Sequence, residues 1–227
     1  MDYKETLKNL EVLKNPKNID GMIRFGITPK TKVYGISIPE LRKLAKIIGK
    51  NHKLAMDLWE SRIHEARILA GMIGQAEKLT EAEMEKWVKD FDSWDVVDQV
   101  CGNLFDKTKF VYKKVFELSK REEEFVKRTA FTLMAALSVH NKKMKDNDFI
   151  KFFPLIKKAA TDERNFVKKA VNWALRQIGK RNKKLNIRAI RLAREIQKIN
   201  SKSAKWIAGD AIRELTNEKV LKRIKNV

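Results

Sequence analysis

The hexapeptide FVKRTA at residues 125–130 returns 41 residues later as FVKKAV at residues 166–171. A looser copy, WIAGDA, follows at residues 206–211, and IHEARI at residues 63–68 is a related stretch upstream. A period near 40 residues with two helices in each unit is typical of HEAT-like α-solenoids. The repeat therefore predicts an all-α fold, a HEAT-like helical-repeat superhelix. Chance similarity among lysine-rich helical segments is the alternative explanation.

The rest of the chain also favours helices, because only nine Gly and four Pro interrupt it and no stretch alternates with a period of two. Ser37 to Glu40 has the form of a capping box with an early proline, which predicts a helix that runs to Gly49. Gly179 is predicted as a helix C-cap. A single domain is expected over residues 1–227. Loops are predicted at 15–18, 142–147 and 179–184, and helices near 3–14, 37–49, 52–60, 62–74, 80–90, 93–104, 107–118, 122–138, 146–159, 162–179, 184–199, 202–214 and 217–225.

The chain carries a formal net charge of +21, and this charge is unevenly placed. Residues 1–120 hold 22 Lys and Arg against 18 Asp and Glu, whereas residues 121–227 hold 28 against 11. Concentration in one half indicates a polyanion footprint, most simply nucleic acid. A merely solvating basic surface, an acidic protein partner and a membrane surface are the alternatives.

The repeat places basic residues at corresponding positions. In a HEAT-like stack the second helices of successive pairs line one concave surface, so that surface is expected to be basic. Arg188, Arg191, Arg194 and Lys198 form a further stripe that either meets phosphates or is simply solvated. The residues expected to contact DNA are Lys127, Lys168, Lys169, Arg176 and Lys205.

Several classes of site are excluded by composition. One cysteine, Cys101, rules out an intramolecular disulfide and any multi-cysteine metal site, and the three histidines have no ligand spacing. No metal and no cofactor are therefore expected. The N-terminus lacks an apolar signal core and no apolar run approaches membrane-spanning length, so a cytoplasmic protein is expected, nucleoid-associated when bound to DNA.

FDSWDVVD at residues 91–98 is the most informative motif for function. On a helix, Trp94 and Asp98 are one turn apart on the same face. A carboxylate beside the apolar stripe that continues through Cys101 costs free energy unless something compensates it. A chain this basic is therefore expected to use Asp98.

Each residue of this motif also has a structural interpretation. Trp94 could be a core residue, and Asp98 could be the partner of a buried arginine such as Arg128. Asp92 or Ser93 is expected to cap the helix, with Asp95 as a first-turn acid. Trp173 could also be core. Core or repeat-packing positions are expected for Trp59, Trp87 and Trp206, and a buried apolar position is expected for Cys101.

The residues in these motifs look like those of a known family. YGISIPELRKLAK at residues 34–46 resembles the opening signature of the AlkD-type DNA alkylation-repair glycosylases. SWDVVD at residues 93–98 resembles the segment that carries that family's catalytic aspartate, and residues 166–176 and 205–215 resemble its later repeats. The similarity extends over essentially the whole chain.

The resemblance implies a stack of HEAT-like pairs that grips duplex DNA in a basic concave cleft. It implies hydrolysis of the glycosidic bond of cationic N3- and N7-alkylated purines, a step of base excision repair. The protein is expected to be a monomer. Asp98 corresponds to the catalytic carboxylate, and Trp94 and Trp173 to aromatic walls beside the deoxyribose of the lesion. Arg128 corresponds to the cleft arginine beside the aspartate, and Arg176 to a phosphate contact.

A single carboxylate suits this chemistry. Ordinary glycoside hydrolysis needs a second carboxyl group to protonate the leaving group, but an alkylated purine is already cationic. Two other functions remain open: a HEAT-like nucleic-acid-binding module without catalysis, and a scaffold that wraps an acidic protein.

Overall fold

The computed structural model describes residues 1–224, which contain α-helices, two short 3-10 helices and no strand beyond an isolated bridge between Lys32 and Ile63. The prediction of an all-α protein is confirmed. The chain divides into two compact units, Met1–Val111 and the part that starts at Tyr112. Each unit is described by itself.

The first unit surrounds one fully buried helix. Its helices are α1 (Tyr3–Val12), α2 (Ile19–Arg24), α3 (Ile38–Ile48), α4 (His52–Glu60), α5 (His64–Ile73), α6 (Glu81–Asp90) and α7 (Trp94–Asn103), with 3-10 helices at Pro16–Asn18 and Phe105–Lys107. Every residue of α5 is buried, and this helix packs against α3, α4 and α7. Helix α5 is therefore the central helix of this unit, and α3, α4 and α7 are positioned by packing against it.

An aromatic cluster completes this core. Trp59 and Trp87 are fully buried and stack with their ring centroids 4.1 Å apart, which confirms both as core residues. The guanidinium of Arg67 lies 4.9 Å from the centre of the Trp59 ring and donates to the backbone oxygen of Asp90 at 3.2 Å. The carboxylate of Asp90 accepts from the Trp59 indole at 3.0 Å. The buried arginine is thus held by a π face and a carbonyl oxygen.

The segment 34–36 wraps around another buried charge. The carboxylate of Glu65, 1% exposed, accepts from the backbone N–H groups of Tyr34, Gly35 and Ile36 at 2.7 to 3.3 Å. Gly35 has φ +73°, and the carbonyl oxygen of Asn15 lies 2.2 Å from where a Cβ would stand. Only glycine fits both the backbone angle and the space. This arrangement connects α1, the loop before α3, and α5.

The second unit consists of α8 (Val111–Leu118, whose first residue belongs to the first unit), α9 (Glu124–His140), α10 (Asp146–Ile150), α11 (Phe153–Ala159), α12 (Asn165–Gly179), α13 (Lys183–Gln197), α14 (Lys202–Leu215) and α15 (Glu218–Leu221). The repeat peptides open α9 and α12 and lie within α14. Helix α12 packs against α9, α13 and α14, so the stretches related in sequence are neighbours in space.

The structure corrects some predicted boundaries. The helix predicted over 146–159 is two helices, because Pro154 in the first turn of α11 has no N–H to continue the preceding one. Gly179 is the last residue of α12 rather than its cap; it is buried 2.7 Å from Leu215, measured from an ideal Cβ, and no larger residue fits there. Helix α2 was not predicted, and the predicted loop at 15–18 forms a 3-10 turn. The helix predicted near 217–225 ends at Leu221, and Lys225 lies outside the described residues.

Candidate active site and nucleic-acid interface

Helix α7 carries Trp94 and Asp98 and lies close against α5. Val96, Val97, Val100 and Cys101 of α7 are buried, which confirms Cys101 as a core residue. An ideal Cβ on Gly71 of α5 would stand 3.0 Å from the Val100 Cα, so the two backbones approach closely. This packing leaves the opposite side of α7 half-buried, and Trp94 and Asp98 lie on that side, one turn apart.

The Trp94 ring is held from outside its own helix. Its indole N–H donates to the backbone oxygen of Phe25 at 3.1 Å, in the turn after α2. Trp94 is only half-buried, so the interpretation of this residue as core is wrong. The side chain of Phe25 is 75% exposed. The turn after α2 thus contacts Trp94 through its backbone and carries an exposed aromatic ring, and nothing in the local sequence pattern pointed to it.

The other acids of the motif hold the fold. Asp92 accepts from the backbone N–H of Lys30 at 2.8 Å, and Ser93 is the N-cap residue of α7. Asp95 accepts from the hydroxyl of Ser93 and from Nε2 of the fully buried His64, at 2.7 Å for the histidine. Asp95 was predicted only as a first-turn acid, since its partner lies 31 residues away. This pair anchors the first turn of α7.

The ionisation of both partners favours the ion pair. Burial alone lowers the pKa of His64, but the hydrogen bond and negative charge of Asp95 outweigh it and raise that pKa above 6.5. Burial likewise raises the pKa of Asp95, but His64 and Ser93 outweigh it and lower that pKa below 3.8. Both shifts therefore favour the charged form of each partner.

The stabilising effect of this pair is expected to depend on pH. A raised histidine pKa contributes stability that is complete below about pH 6.5 and is lost as pH rises through the folded-state pKa. A lowered aspartate pKa contributes stability that is present above about pH 3.8 and is lost as pH falls through the folded-state pKa. The difference in melting temperature between wild type and His64→Gln should therefore be largest near pH 5 to 6 and shrink on both sides. A difference that is constant from pH 4 to 9 would contradict the charged pair. The control is the His64→Gln/Asp95→Asn double variant, which lacks both titrating groups, so its own melting temperature should lack the part of the pH dependence that the pair contributes.

The predicted basic positions open α9 and α12. Phe125 and Phe166, the first residues of the two repeat peptides, stack with ring centroids 5.6 Å apart. Arg128 is 5% exposed and donates to the backbone oxygen of Phe166 at 2.6 Å, so it joins the two repeats. Lys127 lies within 3.5 Å of Glu122 and Asp162. The repeat thus places these side chains together, and part of their charge is already compensated.

Three further predicted cations lie on α12 and α14. Lys169 and Lys205 are exposed. The ammonium of Lys168 lies 5.3 Å from the centre of the Trp206 ring. Trp206 is 44% exposed, so of its two predicted positions, core or repeat-packing, the core position is wrong. Trp206 occupies the position that Phe125 and Phe166 have in the two earlier repeats. Within the described residues no later repeat packs over it, and its ring contacts the ammonium of Lys168.

Trp173 and Arg176 lie one turn apart on α12. Trp173 is half-buried, and Arg176 forms ion pairs with Asp210, at 3.5 Å, and Glu214 of α14. The predicted phosphate contact of Arg176 therefore competes with two carboxylates. Of the four candidate catalytic residues, Trp94 and Asp98 belong to the first unit, whereas Arg128 and Trp173 belong to the second. Their roles stay predictions.

Metal ligands do not cluster in the described part of the chain. No group of three or more His, Cys, Asp or Glu side chains in residues 1–224 could hold a metal ion. None of the helices there is both long enough and apolar enough to cross a bilayer.

Comparison with known proteins points to one family. The sequence pattern of a family described as DNA alkylation repair enzyme matches residues 6–215. Two uncharacterized proteins, from Listeria innocua and Listeria monocytogenes, are 28% and 31% identical to this chain over 101 residues. Each match covers 43% of this chain and 45% of the relative, so it extends over less than half the length of those proteins.

A solved structure shares the fold. It represents a family of proteins related to the HEAT-like repeat DNA glycosylases with affinity for branched DNA structures. The TM-score is 0.79, the sequence identity is 17%, and the match covers 100% of this chain and 98% of that chain. At this identity the likeness concerns the fold alone, and it confirms the prediction of an all-α HEAT-like repeat protein. The basic concave face and the single domain over residues 1–227 stay predictions.

Proposed function

Because the chain belongs to the family of DNA alkylation repair enzymes, we propose that it is a DNA glycosylase acting on duplex DNA. Its substrates are cationic N3- and N7-alkylated purines, whose N-glycosidic bond it hydrolyses. It acts as a monomer and needs no metal or cofactor.

The observation that carries this proposal is the pairing of Trp94 and Asp98 on the half-buried side of α7. Asp92 and Asp95 of the same motif have structural partners in the loop before α3 and on α5. The Trp94 ring is oriented by the backbone oxygen of Phe25, and the first turn of α7 is anchored by His64. A carboxylate and an aromatic face are thus displayed at a constant spacing on a rigid helix, as a preorganised electrostatic site requires.

The chemistry follows from the charge of the substrate. When an alkylated purine leaves, its positive charge passes to the sugar, so the transition state has oxocarbenium character. The Asp98 carboxylate stabilises that charge, aligns the water that attacks the anomeric carbon, and accepts the proton that this water loses. The face of Trp94 adds a cation–π attraction of about 1–2 kcal/mol when desolvated. No general acid is required because the leaving base departs neutral.

Binding is proposed to come from the second unit, where the repeat places Lys127, Lys168 and Lys169 at the starts of two neighbouring helices. These residues, with Lys205 and Arg176, contact phosphates. A second candidate function is binding of branched DNA without base excision. The match in fold to a protein whose relatives have affinity for branched DNA favours it.

The two functions are separated by base release. Single-turnover incubation of wild-type protein with methylated duplex DNA is expected to release free 7-methylguanine or 3-methyladenine. Protein that binds four-way DNA but releases no base above the uncatalysed rate would favour the branched-DNA candidate and contradict the glycosylase.

Duplex binding is expected to be strongly salt-dependent. If about five phosphates are neutralised, log K should fall with log[salt] with a slope of about −4 to −5. Replacing the exposed Lys169 and Lys205 by Ala should make that slope less steep by about two, one for each lost contact. Fluorescence anisotropy at four salt concentrations measures both. Affinity that ignores salt, or is absent for DNA, would instead favour a scaffold for an acidic protein.

A further inference from the structure

A basic groove lies at the ends of the helices that carry the repeat. It has a volume of about 870 Å³ and is formed by the C-terminal ends of α9 and α12, the loop at residues 141–145 and the start of α13. One acid, Asp146, lines it. The cations that line it are Lys142, Lys145, Lys180, Arg181, Lys184 and Arg223. We call this surface the loop-end groove.

The walls of the loop-end groove are braced by partly buried hydrogen bonds. The Arg181 guanidinium donates to the backbone oxygens of Ser138 at 3.0 Å and Met144 at 3.1 Å, and it lies 4.6 Å from the centre of the Phe149 ring. The amide of Asn182, which is 6% exposed, donates to the Asp146 carboxylate at 2.8 Å. The loop at 141–145 is therefore held against α9 and α13, and the shape of the groove is preorganised.

Only part of the charge inside the groove is compensated by ion pairs. Lys180 forms an ion pair with Glu214 at 2.5 Å. Lys145, Lys184 and Arg223 are exposed and make no ion pair within residues 1–224. Three like charges around one open groove repel one another, and a ligand with several negative charges relieves that repulsion.

The groove lies far from Lys127 and Lys168, two of the residues assigned to duplex binding. A third, Arg176, is one turn from Lys180 and shares Glu214 with it. Lys127 and Val139 are twelve residues apart on α9, and Lys168 is twelve residues from Lys180 at the end of α12. At 1.5 Å per residue, the two ends are separated by about 18 Å along each helix. Apart from Arg176, whose charge is compensated by Asp210 and Glu214, the loop-end groove is therefore a separate anion surface on the same two helices.

We propose that the loop-end groove binds the phosphodiester backbone of a second DNA segment, distinct from the duplex whose lesion is excised. The open, polar groove suits a continuous backbone better than a compact ligand, and its unpaired cations suit consecutive phosphates. This inference rests on the DNA binding of the proposed function. It predicts that DNA presenting an additional arm gains affinity through Lys145, Lys184 and Arg223.

The test is a Lys145→Glu/Lys184→Glu/Arg223→Glu variant measured against two unmodified probes, a short linear duplex and a four-way junction with the same arm sequence. Affinity for the junction should fall at least 10-fold and its salt slope should become less steep by two to three, while affinity for the linear duplex changes less than 2-fold. The control is a Lys8→Glu/Lys46→Glu/Lys53→Glu variant, which has the same net charge as the groove variant but carries its changes at exposed positions of the first unit. It should lower the affinity for both probes equally.

The outcomes decide the proposal. Unchanged junction affinity would overturn it, and a lowered melting temperature would then show that the cations contribute to the fold and not to DNA binding. Equal loss for both probes would also overturn it, since the groove would then belong to the first duplex. Release of 7-methylguanine from linear methylated duplex by the same variant should match wild type. Absence of release by wild type itself would refute the glycosylase, while the junction measurement would still decide independently whether the groove binds DNA.

Discussion

Asp98→Asn is expected to lower the single-turnover rate of 7-methylguanine release by on the order of 10²-fold or more. The substitution keeps the size of the side chain and removes its charge. Loss of one well-placed electrostatic group in an enzyme site costs about this much. The measurement is base release from methylated duplex at saturating enzyme, so that weaker binding cannot mimic slower chemistry.

Binding should respond in the opposite direction. Asp98 acts in the transition state and contributes little to the ground-state complex. Removal of a negative charge beside phosphates should leave affinity for unmodified duplex equal or tighter. Asp92→Asn is the matched control, because it removes the same charge from the same motif at a residue whose partner is the Lys30 backbone. It should retain excision within a few-fold.

Two results would contradict the role given to Asp98. Normal excision by Asp98→Asn would make the carboxylate structural. A melting temperature far below that of wild type would show that its main contribution is to the fold, through an arginine or another partner, and a thermal melt of the purified variant measures this directly.

Gly35→Ala is expected to have the largest effect on stability, lowering the free energy of unfolding by roughly 3–5 kcal/mol. The new Cβ would stand 2.2 Å from the Asn15 carbonyl oxygen, at a residue whose φ of +73° already disfavours any side chain. That carbonyl belongs to a braced loop, because the Asn15 N–H donates to the Tyr34 oxygen at 2.9 Å. The backbone must therefore move.

Movement of this loop also removes hydrogen bonds from the buried Glu65 carboxylate on α5. The Glu65 carboxylate loses N–H groups of residues 34–36, and a buried polar group left without a partner costs about 1–3 kcal/mol. A loss of this size is a large part of the 5–15 kcal/mol typical of a native protein. Thermal and urea melts measure it.

Gly21→Ala is the matched control for Gly35→Ala. Gly21 lies inside α2 with nothing within 4 Å of its would-be Cβ, so alanine should be neutral or stabilise by about 0.5–1 kcal/mol. Equal melting temperatures for the two variants would show that the loop before α3 rearranges without loss of stability, contrary to the geometry around Asn15.

Much of the architecture could be predicted because helix formation is governed by local spacing. The apolar periodicity and the 41-residue recurrence of FVKRTA indicated helices and their repetition, and α9 and α12 begin beside those peptides. Boundaries were missed where a distant contact decides them. Gly179 resembled a C-cap, yet the structure uses its missing side chain to admit Leu215 of α14.

In the candidate site, too, local spacing could be predicted and distant partners could not. The relation of Trp94 to Asp98 is one helical turn and was evident from their numbers. The partners of Asp92, Asp95 and Trp94 lie 62, 31 and 69 residues away, and no local pattern encodes them. For the same reason the exposure of Trp206, a predicted core or repeat-packing residue, could not be foreseen, since its hydrophobic ring says nothing about whether another helix covers it.

By itself, then, the sequence determined the all-α repeat, the concentration of positive charge in residues 121–227, and the spacing of Trp94 and Asp98. Only the tertiary structure decided that three consecutive residues of α5, His64, Glu65 and Ala66, are all buried. His64 is bound to Asp95 of α7, and Glu65 is bound to the loop before α3. It also decided that Arg176 faces two carboxylates. The physical reason is that helix periodicity depends on neighbours within four residues, whereas the compensation of a buried charge depends on whichever segment the fold brings to it.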